Sequence, residues 1–169
     1  EIPEGIEKNL RNLPKNSNPM DVLQSTVSAL AVYDTEKMDD RATNYRRAIQ
    51  LIAKIPTIVA HWDRIRNGKE IVRPSKKLNH SGNFLYMLTG NEPDSELARI
   101  FDICLILHAE HSFNASTFAA REVVSTRAHM YAAVSAAIGA LSGELHGGAN
   151  YQVMQMLFDI KTEDRAESW

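Results

Sequence analysis

Two short stretches of the chain hold the side chains best suited to chemistry: His108-Ala109-Glu110-His111-Ser112-Phe113-Asn114-Ala115-Ser116-Thr117, and Leu145-His146-Gly147-Gly148-Ala149-Asn150. Both fall where helical patterning breaks off. In the first, the apolar spacing predicts a helix finishing near His111, and the negative end of its dipole would favour a protonated ring able to grip an anionic ligand. In the other stretch, His146 precedes a glycine pair and a new helix, whose positive end favours a neutral imidazole that donates one hydrogen bond without carrying charge. Two such environments let one site hold both a carboxylate binder and an uncharged donor.

Other chemistries fit these residues less well. His108 and His111 could share a helix face, but the zincin order His-Glu-x-x-His is absent. The zinc-deaminase pattern begun by His108-Ala109-Glu110 needs a Pro-Cys-x-x-Cys partner, and the chain has one cysteine. No metal site is expected. A Gly-x-Ser-x-Gly nucleophile elbow is missing, and Cys104 lies within an apolar helical run that suggests a structural role. His61, His80 and His129 read as structural hydrogen-bonding groups, and Lys69, Arg73, Lys76 and Lys77 as solvated loop charge. Gly147-Gly148 permits a turn, a close backbone approach or a hinge.

The elements that must position these groups are helical. Ile2, Ile6, Leu10 and Leu13 alternate with charges before a break from Pro14 to Pro19. A helix is predicted from Met20 to near Asp34, and a long one from Asp40 to Asn67 that Pro56 would kink or divide. Ser81 to Gly90 reads as a short, largely buried helix closed by its glycine. Asn91-Glu92-Pro93-Asp94 starts another that runs toward the first histidine pair. Asn114 or Ser116 is placed to cap the next, through Val123. The Ala-rich stretch Ala128 to Leu141 is helical by propensity, with side chains small enough for a partner helix to approach closely. A last amphipathic segment runs through Val153 to Ile160. With no period-two strand pattern and no internal repeat, the fold class is all-α.

Composition narrows the partners. The formal charge of −2, with 44% apolar and 24% charged residues, gives no basic excess for nucleic acid or an anionic membrane. No stretch approaches the roughly 20 apolar residues of a membrane span. A lone cysteine rules out an internal disulfide framework and fits a reducing, cytoplasmic setting. The first residue is Glu1, and no signal-like segment opens the chain, which is compatible with an internal piece of something longer.

Taken together, Leu107 to Thr117 (LHAEHSFNAST) and Gly143 to Asn150 (GELHGGAN) resemble the paired signatures of the citrate synthase family, at the family's spacing. Further likeness runs through Pro19 to Leu23, Leu51 to Ala60, Arg66 to Glu70 and Asn83 to Leu88, so that it covers nearly the whole chain and is nearest the shorter bacterial and archaeal forms. The resemblance implies an almost wholly helical enzyme of two domains. It would condense an acyl-CoA, typically acetyl-CoA, with oxaloacetate and hydrolyse the thioester to citrate and CoA. No permanently bound cofactor is implied, the CoA thioester being a substrate, and a homodimer is expected, with the Ala-rich helix a contributor to its packing.

By this resemblance His146 is the catalytic histidine that stabilises the enol of acetyl-CoA, His111 helps hold oxaloacetate, and His108 is its neighbour there. Residues 1–147 would belong to the large domain and 148–169 would begin the small one, with the glycine pair near the hinge. The family's Gly-x-Gly-His motif, Asp-Pro-Arg segment, catalytic aspartate and further arginines do not occur in these 169 residues, so the polypeptide alone is expected to be inactive. The chain also departs from the family at Glu144, Tyr151 and Asn18, where proline, glutamate and histidine are common. Glu144 and Tyr151 flank the His146 turn and bear on acyl-chain choice. A 2-methylcitrate synthase using propionyl-CoA is the nearest rival, and a non-catalytic dimerisation or binding module is the other alternative.

Overall fold

The structure is a computed structural model that describes residues 1–167, and among these every regular element is helical. In chain order they are α1 (Glu4–Asn12), α2 (Pro19–Leu30) with a 3₁₀ turn over Ala31–Tyr33, α3 (Arg41–Arg66), α4 (His80–Thr89), α5 (Ser95–Leu107), α6 (Ala115–Ser125), α7 (Met130–Leu141), α8 (Gly148–Ile160) and α9 (Glu163–Ala166). The all-α class is as expected. The last two residues of the expected small-domain segment, 168–169, lie outside the described range.

The helix starts follow from short polar side chains that satisfy free backbone N–H groups. Asn18 accepts from Met20 N at 2.9 Å, Asp40 from Thr43 N at 2.8 Å, Asn79 from Gly82 N at 2.9 Å and Asp94 from Glu96 N at 2.6 Å. Asn18, a departure from the family pattern, thus has a local structural task. Gly90 ends α4 in the left-handed region at φ 86°, a conformation that costs glycine little. The alternating apolar residues at the start of the chain form α1, which turns Ile6 and Leu10 inward.

The core is built by α1, α2, α3 and α7: Ile6 and Leu10, Val22, Val27 and Leu30, Leu51, Ile58, Trp62 and Ile65, and Tyr131 and Ile138. Of the two outcomes expected at Pro56, division does not occur: α3 runs unbroken for 26 residues. Buried anchors on both sides of the proline, Leu51 before it and Ile58 and Trp62 after it, hold the two halves in one element although the ring removes a backbone donor. The largely buried helix expected over Ser81 to Gly90 is corrected: in α4 only Ser81, Gly82 and Met87 are buried, because the helix packs between α3 and α5, leaving Asn83 to Tyr86 and Leu88 half-covered and His80 and Thr89 exposed.

The segment between α2 and α3 is fastened by the buried Arg47. Its guanidinium donates to Asp34 at 2.7 Å, to Asp39 at 3.2 Å and to the Glu36 carbonyl at 3.2 Å. Burial alone would push the Asp34 carboxyl up, but the Glu36 backbone N–H and the Arg47 cation outweigh it and hold Asp34 below the usual carboxylate range. The Ala-rich helix is as close to its neighbours as its composition suggests: a Cβ on Gly139 would stand 2.5 Å from Gln24 Nε2, and Ser135 Oγ–H donates to the Gln24 carbonyl at 3.1 Å. That packing is within the chain, against α2 and α6.

Candidate active site

α5 stops at Leu107 because His108 turns its own side chain back on the helix. Its backbone N–H donates to Cys104 O at 3.1 Å, and its ring Nδ1–H donates to the same carbonyl at 2.7 Å. This carbonyl can only accept, so the proton sits on Nδ1, leaving Nε2 to face outward. Residues 108–114 then form an irregular connection to α6, exposed as far as Phe113. In it the Glu110 carboxylate accepts from Ser112 N–H, and Ser112 adopts φ 53°, rare for a residue with a side chain. Asn114 closes the connection by capping α6 through Thr117 N at 2.9 Å, so the cap is Asn114 and Ser116 is free for another partner.

His111 therefore does not sit at the end of a helix. It lies four residues past Leu107 in this connection, exposed, and forms no hydrogen bond with the described residues. The dipole argument made for it does not apply, and His108 and His111 do not share a helix face. The early stop imposed by the His108 side chain is the physical reason for both corrections.

His146 is placed as expected, one residue before Gly147, the N-cap of α8. The turn that carries it depends on a missing side chain. Gly147 N–H donates to Leu141 O at 3.0 Å, and a Cβ on Gly147 would lie 2.1 Å from that oxygen. Gly147 thus permits a close approach to the end of α7, whereas Gly148 has its nearest neighbour at 3.7 Å and no such constraint. The half-buried His146 ring is held by Ser116, whose Oγ lies 2.7 Å from Nε2.

These pieces meet. A cleft of about 610 Å³ is lined by His108, His111, Asn114 and Ser116 from the α5–α6 side, and by Leu145, His146 and Asn150 from the α7–α8 side. All three candidate histidines border it, although 35 positions separate His111 from His146. Ser116 is the participant that the sequence reading missed. A partner 30 residues away leaves no local signal, and a serine in the first helical turn reads as a cap.

The remaining candidates lie elsewhere. His61 is buried in α3 with Nε2–H donating to Val72 O at 3.3 Å, and His129 caps α7 by accepting from Ala132 N at 3.1 Å. Cys104 is exposed, which corrects the structural reading of its side chain: α5 buries no residue completely, and only Phe101, stacked on Phe84, and Leu105 turn part of its apolar run toward α4. Arg73 pairs with Glu7 at 3.1 Å. Glu144 and Tyr151 are both exposed beside the His146 turn. Among the described residues no three His, Cys, Asp or Glu side chains gather as a metal set would.

Comparison with known proteins finds relatives along nearly the whole chain. A citrate synthase of Deinococcus radiodurans is 49% identical over 170 residues, covering 99% of this chain and 45% of the relative. A 2-methylcitrate synthase of Mycobacterium tuberculosis is 44% identical over 160 residues, covering 95% of this chain and 40% of the relative. Among solved structures, citrate synthase from Pyrobaculum aerophilum superposes with a TM-score of 0.89 at 41% identity, over 99% of this chain and 44% of that one. A ternary complex of Thermoplasma acidophilum citrate synthase with carboxymethyl coenzyme A and oxaloacetate gives 0.86 at 28% identity, over 100% of this chain and 44% of that one. The chain spans less than half the length of the relatives it matches. Residues 1–169 in their entirety match the family described as "Citrate synthase, C-terminal domain", and the chain belongs to the citrate synthase family.

Proposed function

We propose that the protein carrying these residues condenses acetyl-CoA with oxaloacetate, and that the cleft between α5–α6 and α7–α8 supplies part of the active site. The observation that carries the reading is the convergence of His108, His111 and His146 on one cleft, with Ser116 seated on the His146 ring. When the Ser116 hydroxyl donates to Nε2, the neutral ring carries its proton on Nδ1, the nitrogen left for the thioester oxygen. Condensation needs such a donor: removing a methyl proton from acetyl-CoA puts charge on that oxygen, and a positioned, uncharged donor stabilises the resulting enol. His111 supplies a donor for oxaloacetate, and His108 is its neighbour there, its outward Nε2 becoming a donor only in the imidazolium form.

Family membership supports the reaction class, and the oxaloacetate and CoA analogue held by the Thermoplasma relative support the substrate pair. The domain division belongs to the same proposal. Residues 1–147 form part of the large domain, and α8 begins the small one, consistent with a helix that buries none of its residues completely. The protein works as a cytoplasmic homodimer without a resident cofactor. No helix among the described residues is long and apolar enough to cross a membrane.

A second reading, condensation of propionyl-CoA, rests on Glu144 and Tyr151 beside the catalytic turn, with a 2-methylcitrate synthase among the relatives. One extra methylene changes discrimination by about 10- to 200-fold, so kinetics separate the two. Free thiol release by the full-length protein is measured with each acyl-CoA at saturating oxaloacetate. Higher kcat/KM for acetyl-CoA is expected, and a preference for propionyl-CoA moves the assignment to 2-methylcitrate. The 169 residues alone, which lack a catalytic aspartate partner and the arginine set, are expected to release no CoA.

A further inference from the structure

The connection that carries His111 has little to hold it. Residues 108–113 are all exposed, so no core burial fixes their conformation. The bonds already described secure its two ends, at His108 and at Asn114, and make one internal tie between Glu110 and Ser112. Phe113, two residues after His111, supplies a further tether. Its ring meets Phe118 edge-on, with centroids 5.6 Å apart and planes at 78°, and the Arg121 guanidinium lies 5.0 Å from its centroid. Phe118 and Arg121 are three apart on α6 and share one face of that helix, so both reach Phe113 from the same element, although both are exposed.

We propose that Phe118 and Arg121 act as positioning residues for His111, holding its connection in the binding-ready shape through Phe113. Phe113 is 56% exposed, so the contact acts by direction more than by burial. An aromatic edge contact and a stacked guanidinium each favour one ring orientation. Losing that orientation lets residues 109–113 sample other shapes, and a ligand that needs one of them binds more weakly in proportion to its lost population. Ser112 at positive φ makes the native shape the one most in need of outside support. His146 is carried by a different turn, so acyl-CoA activation should be spared. The inference rests on the condensation reading in its assignment of His111 to oxaloacetate.

Two measurements on the full-length protein test it. Hydrogen exchange read by mass spectrometry compares wild type with Phe113→Ala, Arg121→Ala and Arg121→Lys. Exchange over 109–113 is expected to rise in the first two, and less in the third, with α5 and α7 unchanged; unaltered exchange overturns the tether whatever the protein catalyses. Steady-state kinetics should then show the oxaloacetate KM raised about fivefold in Phe113→Ala and Arg121→Ala, with kcat and the acyl-CoA KM within about twofold of wild type. A flat oxaloacetate KM in an active enzyme, or parallel damage to kcat and both KM values, overturns the positioning role. Wild-type protein that fails to condense sinks the condensation reading instead, and the exchange arm then judges the tether on its own.

Discussion

His61 is 1% exposed, with Nε2–H committed to the Val72 carbonyl and Nδ1 lacking any partner. Protonating Nδ1 would place an unpaired N–H and a positive charge in the core, and burial accordingly pushes the His61 pKa down. An unfolded histidine titrates near pH 6.5, so as pH falls through that value the unfolded chain takes up a proton that the folded chain refuses. Stability is therefore full above about pH 6.5 and declines on acidification toward the depressed folded value. Thermal unfolding followed from pH 8 to pH 5 should show the melting temperature falling below that point, and less steeply in His61→Gln; identical slopes would remove His61 as the cause. Individual side chains were unevenly legible in the sequence. Motif spacing picked out His108, His111 and His146. The bond from Ser116 to His146, and the outward-facing Cys104, depend on how α5, α6 and α8 sit in space, which no local pattern encodes.

Caps and apolar spacing locate most helices, because each Asn or Asp at a helix start has a backbone N–H to satisfy and each buried stripe has a period of 3.6. Where the reading failed, a side chain acted against the pattern: His108 ended α5 early and moved His111 onto an irregular connection. The α7–α8 turn allows a sharper test. In Gly147→Ala the new methyl meets a backbone carbonyl at 2.1 Å, a clash no rotamer change relieves, and the loss should be about 2 kcal/mol or more. Gly148→Ala, with 3.7 Å to the nearest atom and helical backbone, should be neutral or slightly stabilising. Denaturant midpoints of the two variants measure the contrast, and equal values would show that the turn does not depend on the close approach at Gly147.

As a whole, the molecule leaves α5 with an uncovered apolar stripe. Leu97, Ile100, Ile103 and Ile106 recur every three residues and are all exposed, while α7, whose Ala-rich face had suggested dimer packing, is engaged by α2 and α6. An apolar strip of this kind fits the homodimer proposed above. Ile100→Glu with Ile103→Glu in the full-length protein should give monomers by sedimentation, and an unchanged dimer would place the interface elsewhere. The proposed condensation depends on His146 stabilising an enol in the cleft it shares with His111. Steady-state condensation by full-length His146→Ala tests this most directly: kcat should drop about 10²- to 10³-fold while the oxaloacetate KM stays within about threefold of wild type. Wild-type turnover in that variant would contradict the account.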